Sequence, residues 1–493
     1  MASSRRISKE TQRELLRDLR DLGYGQAESE PDDMFACRFH PVPEHLRAFD
    51  PDVVLVVGAR GSGKSALFRA VFSSGMLLAL ARHAPNVRFP NANTEKIEWI
   101  TGYPVGADFP DARGLRETVR TPENAADLWF AYLVRRLGDQ FPADQKETLG
   151  PILEPRGGNA EAVLTAFHDL GTSPTLILDE LDARLQQDDR WVFVGYDELD
   201  TLGGYDWDLM ARSVRGLVSF WSAYTRRWRR LRAKIFLRTD LFRRHAGIGG
   251  ADLAKLAANR AELQWTDENL FAVLLKRMAN TSERLVSYCR GARIHFREDP
   301  DLGWIPRIDS AEAARPLIER MVGPYMGANR RKGLTHRWLL DHLRDGLGNV
   351  APRSLVRLFE QAAQKEAANL RVSPPKLLHP TSLRQALEDV SNDHVIQGVS
   401  NEWPWLAGVN KRIQSEALVP WERKKLQALL QQSWGEPWGQ GDDIRSPAGS
   451  ASELTDYLVE LGIFRKRKES RVDVPDIYLF GLGLRRKGGV RRK

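Results

Sequence analysis

The sequence predicts an α/β fold in which a parallel sheet comes first, a mainly helical region follows, and a small domain of helices and a basic hairpin closes the chain. Three observations carry this expectation. A β-branched run, Val53 to Val57, leads straight into a glycine-rich loop and then a helix, Ala66 to Phe72. Two further apolar runs, Val192 to Val194 and Lys234 to Leu237, are separated by a long amphipathic stretch from about Asp206 to Arg230, which is the spacing a parallel strand–helix–strand unit requires. Beyond Thr266 the apolar residues recur at helical spacing, as in Leu270, Val273, Leu274 and Met278.

The 493 residues leave room for about three domains. Pattern and composition divide them into an N-terminal helix and arm (1–47), a sheet-bearing core (48–265), a helical lid (266–395), a linker (396–419) and a small basic C-terminal domain (420–493). No apolar run approaches the ~20 residues of a membrane helix, and the start MASSRRISKE lacks the apolar centre of a signal peptide. A cytoplasmic chain without membrane contact is expected. Two cysteines, Cys37 and Cys289, are too few for a disulfide framework or a zinc site and read as free thiols.

The loop that follows Val57 carries the chemistry. Gly58-Ala-Arg60-Gly61-Ser62-Gly63-Lys64-Ser65 matches the phosphate-binding pattern G-x-x-x-x-G-K-[ST]. Gly61 and Gly63 let the backbone turn successive N–H groups toward phosphate oxygens. Lys64 brings a mobile point charge to the β- and γ-phosphates, the Ser65 hydroxyl is a Mg²⁺ ligand, and the helix opening at Ala66 puts its positive end behind the anion. The prediction is a P-loop NTPase core that binds ATP or GTP with Mg²⁺; the sequence does not choose between the bases. The histidines show no ligand spacing, so Mg²⁺ is the only metal inferred.

Hydrolysis also needs an acid beside Mg²⁺ and a base that orients water. Asp-Glu follows apolar residues twice, at Asp179-Glu180 and at Asp197-Glu198. Ser173-Pro174 reads as a helix start, and Leu178, Leu181 and Leu185 continue it at helical spacing, so the first pair would face solvent on a helix. The second pair ends a β-rich run and precedes a helix and a further strand, which sets it at a strand's C-terminal end near the loop. Asp197 is therefore the expected Mg²⁺-side acid and Glu198 the base. Arg238, Thr239 and Asp240 end the next strand, within reach of the γ-phosphate. Arg243 and Arg244 follow on a helix, where they are either solvated or an arginine finger toward a neighbouring subunit.

Glu262-Leu-Gln-Trp265 reads as one more strand, Thr266 as a helix cap, and Gly348-NVAPRSLVRL as a helix start that carries Arg353 just after Pro352. The ordered set of P-loop, YDELD, FLRTD, ELQW-helix and GNVAPRSL resembles the AAA+ and STAND-like ATPases, over about residues 48 to 365. It looks most like bacterial P-loop ATPases of the KAP type, which are encountered as components of anti-phage or mobile-element systems. The resemblance implies that Arg238 holds the sensor-1 position, commonly Asn or Thr, so that either Arg238 or Thr239 meets the γ-phosphate. It implies that Arg353 holds the sensor-2 position of the lid. It further implies a homo-oligomer and a separately encoded protein effector, because no nuclease or protease motif is present. The membrane helices of many KAP proteins are absent here.

The remaining expectations concern the ends and the inserted segments. Glu10 to Leu22 reads as a charged helix, and Asn91 to Arg120, poor in periodicity, as an insertion. Trp-bearing stretches such as Leu302-GWIP read as irregular. Trp421 to Gln431 and Ser452 to Leu461 read as helices, the second capped by Ser452, and Ile463 to Val474 as two short strands around Lys468-Glu469-Ser470. Helices followed by a basic hairpin resemble a winged helix. Residues 460–493 hold eleven basic residues against four acidic ones, nearly the whole net charge of +8. That end is expected either to meet nucleic-acid phosphates or to be a solvated tail, and a winged helix serves protein docking equally well. Trp403, Trp405, Trp421, Trp434 and Trp438 read as packing rather than base-stacking residues.

Overall fold

A computed structural model gives the fold and describes residues 7–23, 30–90, 96–204, 206–246, 254, 256–401, 403–439, 444–468 and 470–487. The chain divides into two units, Pro41–Gln264 and Met1–His40 with Trp265–Lys493. In the first, β1 (Leu55–Gly58), β2 (Ile97–Tyr103), β3 (Trp191–Tyr196), β4 (Leu231–Arg238) and β5 (Ala261–Leu263) form one sheet in the order β2-β3-β4-β1-β5. Every pairing is parallel. β1 lies between β4 and β5, so connections leave it toward one edge and return on the other side. The crevice at its C-terminal end is the place where such sheets receive ligands.

The segment Asn91 to Arg120 is not an insertion: it supplies β2, the edge strand, in register with β3 from Ile97↔Trp191 to Ile100↔Val194. Its weak periodicity follows from its place, because an edge strand is only half covered and most of its residues are partly exposed. Residues 91–95 lie outside the described residues. The helix Pro122–Arg136, capped by Thr121, packs on the helix Trp207–Tyr224, capped by Asp206. Trp129 Nε1 donates to Ser213 O at 2.9 Å. Gly216 lets the helices close up, since a Cβ there would lie 2.4 Å from that of Ala125. Around this contact Trp129, Tyr132, Trp221 and Trp228 are buried into one aromatic core.

β4 is buried along its whole length although it contains Arg232 and Lys234. Lys234 Nζ donates to Asp50 O and, at 2.6 Å, to Val53 O, tying down the chain that enters β1. Burial pushes its ammonium down to about 7. Asp182, on the helix Ser173–Gln187, is buried and accepts from the backbone N–H groups of Arg229, Arg230 and Leu231 as the chain turns into β4.

In the second unit the helix Lys9–Arg20 buries Leu15, Leu16 and Leu19 against the helix Pro352–Ala368. Asp18 accepts from Ser282 Oγ at 2.5 Å and Arg284 Nη2 at 2.9 Å, and Gln12 donates to the carbonyls of Val372 and Lys376. The stretch that reads as irregular in the sequence is an antiparallel hairpin of β6 (His295–Asp299) and β7 (Gly303–Arg307). Local geometry rather than hydropathy makes it: Asp299 accepts from the N–H groups of Asp301 and Leu302, and Gly303 takes a φ of 65°. Asn280 Oδ1 then receives the Trp304 N–H at 2.8 Å.

The stretch expected as a linker holds the end of the helix Pro380–Asn401, the helix Leu406–Ile413 and β8 (Leu418–Val419). Trp421 opens a strand, β9 (Trp421–Glu422), before the helix Arg423–Gln431 begins. The next helix is Ala451–Glu460, and its cap is Ser450, which accepts from Glu453 N, not Ser452. β10 (Arg465–Lys466) and β11 (Arg471–Asp473) pair antiparallel, and β11 pairs with β9. Glu469 between them lies outside the described residues. β12 (Arg485–Arg486) joins β8 in parallel. Trp403, Trp405, Trp421 and Trp438 are buried, and Arg412 stacks 3.8 Å from the Trp438 ring centre.

The carboxylate of Asp473, fully buried, gathers much of the tail's charge. Arg465 (3.0 Å), Arg467 (2.6 Å) and Arg486 (2.8 Å) converge on it, and Arg486 also binds Asp476. Burial raises the Asp473 carboxyl, but the guanidinium hydrogen bonds and charges outweigh it and hold the group below its ordinary value. A depressed folded value stabilises above the unfolded pKa of about 3.9 and is lost as pH falls through the folded value. Asp473→Asn is expected to cost about 2–3 kcal/mol at neutral pH, with the guanidinium groups partly screened by solvent. Its melting temperature should converge on that of the wild type as both are acidified, and parallel curves down to pH 2 would contradict this.

Candidate nucleotide site

The loop between β1 and the helix Lys64–Phe72 is built as the motif requires. Gly61 (φ 69°) and Gly63 (φ 92°) stand in the left-handed region, where a side chain would be strained. Gly58 serves close packing instead: a Cβ there would lie 2.3 Å from Ser62 Oγ, which would have to move. Ser62 N donates to Ala59 O and Leu67 N to Gly63 O, which sets the turn and starts the helix at Lys64. The first-turn amides of Lys64, Ser65 and Ala66 then have no acceptor within the helix. Arg60 is half-buried in the loop. Lys64 Nζ lies over the loop, 3.3 Å from the carbonyl oxygens of Gly58 and Ala59.

Sheet register brings the acids to this loop. Gly58 pairs with Arg238 on one side and with Leu263 on the other, and Tyr196, which ends β3, pairs with Ile235. Asp197 follows at once, and its N–H donates to Tyr103 O at 3.0 Å. Asp197 is buried, and its carboxylate lies close to the Ser65 hydroxyl and the backbone N–H of Glu198. Burial raises its pKa; those two donors and the charge of Lys64 pull it back without cancelling the rise, and Asp200 adds to it. A serine hydroxyl near a buried carboxylate beside an anion-binding loop is an oxygen donor set that suits Mg²⁺. Glu198 is exposed and stands at φ 52°, ψ 29°, an uncommon backbone state for a residue with a side chain. Its carbonyl is held by Thr201 through both N–H (2.9 Å) and Oγ1 (2.8 Å).

Arg238 is placed as its strand position suggests, beside Gly58, but its guanidinium is committed. It is buried, and donates to Asp240 through Nε (3.0 Å) and Nη2 (2.8 Å) and to Asp200 through Nη1 (3.0 Å). Burial raises the Asp240 carboxyl, but the charge and hydrogen bonds of Arg238, with Lys64 adding, hold it below its ordinary value. Sequence reasoning missed this clamp. Its signal was present in the carboxylates of YDELD and RTD on either side of an arginine in an apolar strand, but pairing across 38 residues is a tertiary fact. Thr239 opens the helix Thr239–Ala246, on which Arg243 is exposed. The side chain of Arg244 lies outside the described residues. Arg353 is the second residue of the helix Pro352–Ala368, in the other unit.

The rejected acid pair is occupied elsewhere. Asp179 accepts from Arg227 and from Trp228 Nε1 (3.0 Å), and Glu180 from Gln145 Nε2 (2.5 Å). Among the described residues no group of histidine, cysteine and carboxylate side chains forms a metal cluster. No single helix among them is long and apolar enough to cross a membrane.

The parallel sheet order and the glycine loop define a P-loop NTPase core of the α/β class. No protein-family model and no curated protein matches the chain. Similar solved structures include the ORC2 protein of Aeropyrum pernix in its ADPNP–ADP complexes (11% identity, 89% of each chain, TM-score 0.29). A Walker-type ATPase of Pyrococcus abyssi is similar at 12% identity over 88% of this chain and 91% of that one, with a TM-score of 0.32. Drosophila ORC bound to DNA is similar at 11% identity, 92% and 93% coverage and a TM-score of 0.25. At this level they are likenesses, and the class rests on the sheet and the loop.

Because Arg238 joins two carboxylates, removing it leaves both without their cation. Arg238→Met is expected to cost about 2–3 kcal/mol in unfolding free energy, and Asp240→Asn placed on top of it should recover part of the loss. Additive single and double variants in a thermodynamic cycle would show that the clamp does not exist.

Proposed function

We propose that this chain is a Mg²⁺-dependent nucleoside triphosphatase acting on ATP or GTP, whose nucleotide state governs engagement of partners or nucleic acid. The observation that carries the reading is the buried Asp197 carboxylate just beyond the end of β3, with Ser65 and Lys64 of the loop beside it. In this reading the amides of the loop from Arg60 to Ala66 bind the phosphates, Lys64 holds the β- and γ-oxygens, and Ser65 and Asp197 hold the metal. The metal would supply neutralisation of charge on the transferring phosphoryl group. Glu198, exposed at the rim and fixed in its turn by Thr201, orients the attacking water and takes its proton. The Asp200–Arg238–Asp240 clamp positions that turn, while Arg353 would carry the nucleotide state to the helical lid.

The helix Leu406–Ile413, β9, the helices Arg423–Gln431 and Ala451–Glu460, and the β10–β11 hairpin follow one another in the order of a winged helix. We read that domain as the part that meets partners or nucleic acid. A homo-oligomer, a separately encoded effector and a place in bacterial anti-phage defence are supported by the motif resemblance alone.

A second reading is a slow nucleotide switch or scaffold. The commitment of Arg238 to two carboxylates favours it, because the cation at the strand end is then not free to meet a γ-phosphate.

Nucleotide binding and turnover separate the two. Lys64→Ala is expected to lose nucleotide affinity at least about tenfold, and Glu198→Gln to keep affinity while turnover falls about 100-fold or more. Normal turnover in Glu198→Gln would remove Glu198 as the base. A wild type that binds tightly but turns over far below ~1 s⁻¹ would establish the switch.

A further inference from the structure

The tail holds most of the net positive charge, yet the structure spends much of it internally. Arg465, Arg467 and Arg486 are drawn onto Asp473, and Lys466 onto Asp456. A different segment presents cations without such compensation. Between the helices Arg315–Met321 and Thr335–Asp341 the chain makes a narrow loop, Gly327-Ala328-Asn329-Arg330-Arg331-Lys332-Gly333. All of Gly327 to Lys332 is exposed. Among the described residues no carboxylate pairs with Arg330, Arg331 or Lys332.

The base of this loop is built to hold it rigid. Tyr325 and Leu334 form an antiparallel bridge, and Met326 N donates to Gly333 O at 3.0 Å. Thr335 Oγ1 donates to Gly323 O at 2.7 Å inside the core, and Arg384 donates to Met326 O. At the tip Asn329 Oδ1 accepts from Arg331 N, and Lys332 N and Gly333 N return to the carbonyls of Asn329 and Arg330. The Lys332 stem lies over Gly327, where a Cβ would stand 2.8 Å from Lys332 Cγ. Arg330–Lys332 is a 3-10 turn. Successive residues of such a turn are about 120° apart, so the three charges fan outward from a tip whose own backbone is largely satisfied.

We infer that this loop is a phosphate-contacting finger for duplex nucleic acid. Its composition chooses that occupant over a protein. Protein interfaces are anchored by aromatic or aliphatic side chains, and the tip offers none, only glycine, alanine, asparagine and three cations. Long cationic donors on a rigid support suit contacts to a phosphate backbone. The inference rests on the nucleic-acid part of the proposed function and gives it a location outside the hairpin; it does not depend on nucleotide turnover.

The test is fluorescence anisotropy of a labelled ~25-base-pair duplex titrated with the full chain at several salt concentrations. Arg330→Ala/Arg331→Ala/Lys332→Ala is expected to weaken binding at least about tenfold near 100 mM salt and to reduce the slope of log K against log[salt] by about 3. A control, Arg13→Ala/Arg17→Ala/Arg20→Ala, removes the same charge from exposed positions on the helix Lys9–Arg20 of the same unit and should change the slope by less than about 1. Unchanged melting curves for both variants exclude misfolding as the cause. Wild-type binding with equal losses in the two variants, or no loss in the first, would overturn the finger alone. No duplex binding by wild type would overturn the nucleic-acid reading with it, and retention on polyglutamate in that case would point to an acidic protein surface.

Discussion

The parallel pairing of β1 with β4 sets Gly58 directly beside Arg238, and the candidate site follows from that register. One step further across the sheet, β3 ends at Tyr196, so Asp197 emerges level with the loop rather than above or below it. A slip of one residue in either pairing would turn the end of the strand to the other face of the sheet. Asp197 would then no longer meet Ser65. The register is held by strands buried on both faces and by Lys234, which reaches from β4 to the carbonyls that precede β1. A lysine in a fully buried strand is costly, and two backbone acceptors at its tip offset that cost.

Charge around the loop is organised in two layers. Nearest the loop, Lys64 and Ser65 face Asp197. Behind them Arg238 lies between Asp200 and Asp240, and Lys64 contributes to the field at both Asp197 and Asp240. The outer layer reaches the turn after β3, since Asp200 lies two residues beyond Glu198. Glu198 occupies a backbone conformation that costs free energy unless its surroundings over-determine it. The bonds from Thr201 and the tie from Arg238 to Asp200 are what hold that turn.

The second unit shows that a local excess of charge in a sequence does not locate a surface. Eleven basic residues between 460 and 493 suggested a polyanion contact, but Asp473 lies at the centre of three of them and Asp456 beside a fourth. Arg491, Arg492 and Lys493 lie outside the described residues. The 330–332 triplet, inconspicuous as composition, keeps its charge exposed because no acid among the described residues is folded against it.

The sequence alone determined what depends on local chemistry. The glycine pattern with Lys64 and Ser65 identifies an anion loop because left-handed backbone and a helix start are properties of a few adjacent residues. Proline and cap signals placed Asp179 on a helix and left Asp197 at a strand end for the same reason. The edge strand β2, the β6–β7 hairpin and the Ser450 cap were decided by coverage and by turn geometry, which hydropathy does not record. The Arg238 clamp and the partly compensated charge of the hairpin were decided only by tertiary structure, because an ion pair depends on distance in space. Asp200 and Arg238 are 38 residues apart along the chain and 3.0 Å apart across the sheet.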